Sequence, residues 1–141
     1  MKLILFIVFG LTGSLSAFSQ QDNWKVLHNE NLCLESALEN ESRNTLALTK
    51  ADLAQEGFLW VTYLERNKQK GWKRTIALFD ERDREVFKRE GSIMKLNNEQ
   101  LAPFFNQSKT IKIYTWALPA NPEEAARIRI RRVHLCTLIL K

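Results

Sequence analysis

Residues 126–140 read A-R-I-R-I-R-R-V-H-L-C-T-L-I-L. Isoleucine alternates with arginine as far as Arg131, and a period of two puts apolar side chains on one face of an extended strand and charged ones on the other. The Arg131-Arg132 pair interrupts the alternation in the manner of a β-bulge. Beyond it, Val133 and Leu135 continue the inward face, and His134 and Cys136 the outward one. The expectation is one terminal strand, Ala126 to Leu140, that closes the fold against the N-terminal segment.

Strand-like stretches recur upstream. Phe58 to Glu65 (F-L-W-V-T-Y-L-E) is β-branched and aromatic, with apolar residues on both faces, as in a central strand covered on two sides. Trp72 to Phe79 reads as its antiparallel return, with Arg66 to Gly71 as the turn. Arg84 to Glu90 is edge-like, because its lysine and arginines discourage edge-to-edge pairing. Lys109 to Leu118 alternates lysine with isoleucine, and shorter pieces fall at Trp24 to Glu35, Thr45 to Leu48 and Ser92 to Leu96. Asn97 with Gln100 forms a capping box ahead of about two helical turns, whereas the similar Thr49–Asp52 start has room for one turn before Gly57. Pro119 to Glu124 reads as a rigid loop.

Short strands with regular turns and a single minor helix predict an all-β fold, an antiparallel two-sheet sandwich that is immunoglobulin-like in architecture only. A small open β-barrel is the alternative.

The first residues belong to a different pattern. Met1-Lys2 gives a positive start, Leu3 to Phe9 is an unbroken apolar run, and Ala17-Phe18-Ser19 offers small residues at cleavage positions. This is the layout of a secretory signal peptide, and its apolar run falls short of the ~20 residues that span a bilayer. Residues 1–19 are therefore expected to be removed and residues 20–141 to form one exported domain, secreted or periplasmic, with no integral membrane segment. Export to an oxidising compartment and an even count of two cysteines favour a Cys33–Cys136 disulfide. Enclosing about 100 residues, it would stabilise by ~4–5 kcal/mol in the chain-entropy model.

A formal charge of +5 favours anionic partners but is too small for a nucleic-acid footprint. There is no phosphate-binding glycine loop, nucleophile elbow or H-E-x-x-H helix. His28 and His134 with Cys33 and Cys136 lack zinc-ligand spacing, and His134 with Cys136 lacks a third, orienting group. The expectation is a protein that is not an enzyme and takes no metal or cofactor. Asp80, Glu81, Asp83 and Glu85 read as a solvated turn neutralised by Arg82 and Arg84.

Two binding faces stand out. Arg127, Arg129 and Arg131, at period two, would present three guanidinium groups about 7 Å apart on one strand face. Such a row suits a sulfate, phosphate or carboxylate on a protein, a glycan or a membrane surface. Alternatively, Trp60, Trp72, Tyr114 and Trp116 could form an aromatic platform for carbohydrate. The functional expectation is a non-catalytic binding or assembly module of the cell envelope, using the arginine row, with a carbohydrate-binding domain as the alternative.

Overall fold

The computed structural model describes residues 21–141, so the leader reading on residues 1–19 lies outside the described residues. Nine strands form an all-β sandwich. One sheet has four strands: β1 (Asn23–His28), β2 (Asn31–Ser36), β4 (Phe58–Leu64) and β7 (Ile93–Asn97), in the order β2-β1-β4-β7. The other has five: β3 (Thr45–Leu48), β5 (Trp72–Phe79), β6 (Glu85–Glu90), β8 (Thr110–Pro119) and β9 (Val133–Leu140), in the order β3-β9-β8-β5-β6. All pairings are antiparallel except β3 with β9. Three short helices, α1 (Lys50–Ala54), α2 (Asn98–Leu101) and α3 (Pro122–Ala125), exceed the one expected. Both anticipated capping boxes form, Thr49 with Asp52 and Asn97 with Gln100.

Alternation builds the core. Trp24 and Val26 of β1, Leu59 and Val61 of β4, and Met94 and Leu96 of β7 meet Ile76 and Leu78, Ile111 and Ile113, and Cys136 and Leu138 from the facing sheet. Burying each Leu, Ile or Val contributes about 1.5–3 kcal/mol. One cluster of polar groups is threaded through aromatics: Tyr63 stacks on Trp24, its hydroxyl donates to Asp22 Oδ2 at 2.8 Å, and the Arg74 guanidinium lies 4.2 Å from its ring centroid. Arg74 also donates to Glu65 at 2.7 Å. Little water reaches that ion pair, so removing one partner would leave a charge stranded.

Several expectations are corrected. The terminal strand spans only Val133–Leu140, because Asn121 caps a helical turn begun by Pro122, and Arg127 N–H and Ile128 N–H still bond back to Glu124 and Ala125. The expected rigid loop is thus a helix start. The bulge lies later as well: Ile113 pairs with Cys136 and Tyr114 with His134, which leaves Leu135 as the extra residue. With the bulge at Leu135, Val133 and Leu135 face inward and His134 outward as expected, but the alternation breaks after Leu135 and Cys136 turns into the core.

On β2, Cys33 is itself an extra residue, between Leu34 paired to Val26 and Leu32 paired to Leu27. It is exposed, Cys136 is buried, and both thiols are free, so the expected disulfide is absent. Nor do the first and last strands pair. They lie in opposite sheets, joined across the core by Trp24 Nε1–H donating to the Leu135 carbonyl at 3.0 Å. Similarly, Arg66 to Gly71 carries the chain from one sheet to the other instead of closing a hairpin.

At the α1–β4 corner, the Asn29 and Asn98 side chains pack against the backbone closely enough to require glycine. A Cβ at Gly57 would stand 1.9 Å from Asn29 Oδ1. Asn29 cannot easily yield, since its φ is +48° and its side chain bonds Asp52, Gln55 and Asn98. Gly57→Ala should therefore cost about 1–3 kcal/mol in urea denaturation, and an unchanged midpoint would show that Asn29 is free to move.

Candidate functional site

The outer face of the five-stranded sheet is not bare. Phe79 of β5, Tyr114 and Trp116 of β8, and His134 of β9 lie side by side there. Tyr114 meets Phe79 edge-on at 5.4 Å and His134 edge-on at 5.6 Å between ring centroids. Residues 129–132, freed from strand geometry, border this face. Arg132 lays its guanidinium 4.3 Å from the Tyr114 centroid and 4.7 Å from that of Phe79, and forks onto Asp83 at 2.9 and 3.4 Å.

Between Arg129–Arg132, Glu39, Glu41 and the Tyr114–His134 pair lies a recess of about 560 Å³. Glu39 organises its rim. One carboxylate oxygen accepts from Arg131 at 3.0 Å and the other from the His134 backbone N–H at 2.8 Å. Glu41 reaches Lys112 at 3.5 Å. Three guanidinium groups thus share the rim with two carboxylates, and Arg129 makes no ion pair among the described residues.

His134 lines this recess yet is only 2% exposed. Its Nε2 bonds Thr137 Oγ1 at 2.8 Å, while Nδ1 is buried with no partner among the described residues. Leaving such a group unsatisfied costs about 1–3 kcal/mol. Burial holds the His134 pKa below its ordinary value, with Glu41 opposing the shift, so the ring is neutral near pH 7. Burial likewise raises the Tyr114 pKa.

The three arginines separate. Arg129 and Arg131 line the recess, Arg127 does not, and none stands on a strand, so the even row with a strand repeat does not exist. The aromatic set is divided too. Trp60 lies on the four-stranded sheet, whereas Trp72, Tyr114 and Trp116 lie on the five-stranded one, and Tyr114 is only 8% exposed, so no single platform forms from the four. Arg132, Glu39 and His134 were missed as site residues. The spacing of Asn121-Pro122-Glu123-Glu124 was the available signal, since an N-cap followed by proline and acids opens a helix and displaces the strand start.

His134 and Cys136 cannot act as a pair, because they lie on opposite faces of β9. Burial pushes the Cys136 thiol up to about 12, which removes its nucleophilic form at neutral pH. Asp80 is buried instead of solvated, accepting from the Arg82 and Arg84 backbone N–H groups, each at 2.9 Å, so it shapes its turn. Among the described residues no three His, Cys, Asp or Glu side chains are grouped to hold a metal ion. No helix there is long and apolar enough to cross a membrane. Compared with protein families and with curated proteins, the chain matches none.

Because the folded His134 resists protonation, its contribution to stability is complete above the ordinary imidazole pKa of 6.5. It is lost as pH falls below that value, where the unfolded chain takes up a proton that the folded one does not. Urea midpoints measured from pH 7.5 to 5 should fall for the native protein and fall less for His134→Gln. Parallel curves for the two proteins would place the imidazole in contact with solvent.

Proposed function

We propose that the protein is an exported, non-catalytic binding module of the cell envelope, and that it takes an anionic group of its partner in the recess over the five-stranded sheet. The observation that carries this reading is Arg129, a cation without an ion pair among the described residues, beside a second arginine held in place by Glu39. A guanidinium presents a planar fork that matches two oxygens of a sulfate, phosphate or carboxylate. Fixing Arg131 and Arg132 on Glu39 and Asp83 in advance lowers the ordering cost that a partner would otherwise meet. Export rests on the leader pattern of residues 1–19. A binding role fits a site whose only imidazole is locked away from any nucleophile.

Retention on heparin and co-sedimentation with phosphatidylglycerol vesicles test the reading. The double variant Arg129→Ser/Arg131→Ser should elute at distinctly lower salt and lose roughly tenfold or more in affinity, as charge-assisted bonds are worth about 1.5–3 kcal/mol each. Arg127→Ser, outside the recess, should change retention little. Equal effects of Arg127 and of the recess pair would reduce the binding to diffuse charge and discard the site.

A further inference from the structure

The sequence of β4 has apolar residues on both faces, but among the described residues only one face is covered. Phe58 and Trp60, two residues apart, remain 45% and 40% exposed on the outer side of the four-stranded sheet. Leu27 stands beside Trp60 in register, and Leu32 beside Leu27. Next to the two rings opens a pocket of about 610 Å³ whose other wall carries Asn29, Glu30, Gln55 and Glu56.

We propose that this pocket binds a neutral saccharide. Its polar wall is built and stiff. Asn29 and Glu30 hold positive φ values of +48° and +69° in the β1–β2 turn. The Asn29 N–H donates to the Phe58 carbonyl at 3.0 Å, tying the turn to the strand that carries the rings. Behind Asn29, the nearly buried Asn98 donates to Asn29 Oδ1 at 2.9 Å and to the Gln55 carbonyl at 2.9 Å, and is itself paired with His28 at 2.8 Å. These internal bonds use the Asn29 amide, whereas Glu30 and Glu56 form no ion pair among the described residues.

Charge selects the occupant. Lys95 Nζ already lies 4.1 Å from the Phe58 centroid and 5.1 Å from that of Trp60, so a second cation at the rings would be repelled. An anion would meet Glu30 and Glu56. A wholly apolar partner would strip water from those carboxylates and return no hydrogen bonds. A pyranose meets each demand: with the exposed Lys95 side chain swung off the rings, its C–H face lies on them, and its hydroxyls donate to the two carboxylates and accept from the displaced ammonium. This site stands on the sheet opposite to the anion recess and does not depend on it.

Titration calorimetry and tryptophan fluorescence of the full chain with cellohexaose, mannohexaose and chitohexaose, each at millimolar concentration, decide the matter. At least one hexasaccharide should bind. Trp60→Ala should weaken it about tenfold, and Glu56→Gln should weaken it several-fold without touching the rings. The Arg129→Ser/Arg131→Ser protein should bind it as the native one does. Failure of all three sugars, or binding that survives both Trp60→Ala and Glu56→Gln, would overturn the proposal. Loss of sugar binding in the arginine variant would assign the sugar to the other face and overturn it equally. Should Trp60→Ala prove unfolded by circular dichroism, Glu56→Gln, a substitution at an exposed residue, carries the test alone.

Discussion

The pairing of β8 with β9 is the constraint on which the molecule depends. A single extra residue, Leu135, decides which side of the last strand faces the core. A bulged residue drops out of the hydrogen-bond ladder, and here its carbonyl is taken up by the Trp24 indole from the opposite sheet. That bond is worth only about 1 kcal/mol net, but an unsatisfied buried carbonyl would cost more. Downstream, Cys136 and Leu138 complete the core. Upstream, His134 faces outward beside Tyr114.

The two outer faces acquire different characters from this arrangement. The five-stranded sheet is bordered by residues 129–132, of which Arg131 and Arg132 anchor on Glu39 and Asp83 and leave a charged recess beside the rings. Nothing of the kind crosses the four-stranded sheet among the described residues. Its aromatic and aliphatic residues stay accessible, bounded by the stiff turn at Asn29. A polar network that includes buried His28 and Asn98 maintains that boundary, and it explains why the corner has a glycine at position 57.

Much of the architecture was legible because period-two patterning is strong wherever one face is buried. Ile111 and Ile113 against Lys112, the edge character of Arg84 to Glu90, and the Asn97–Gln100 capping box all carried their meaning locally. What failed was phase. Alternation of arginine with isoleucine from 127 to 131 looks like a strand, yet Ile128 and Ile130 are exposed, because an upstream N-cap and proline commit the chain to a turn first. The bulge could not be located from composition, since Leu135 and Cys136 are both apolar enough to face inward. Of the candidate recess, Arg129 and Arg131 were visible as cations in the sequence. Glu39, some ninety residues away in the chain, was not, because only the tertiary fold brings it to His134.

The position of the Leu135 bulge is tested most directly by counting thiols with a disulfide reagent before and after unfolding, without reductant. If Leu135 is the extra residue, Cys136 is sealed in the core while Cys33 is exposed at its own bulge. One equivalent should then react in the native protein and two in denaturant. Two reactive thiols in the native state would put Cys136 on the outer face, and none in either state would mean that the cysteines are bonded; both results contradict the register described above.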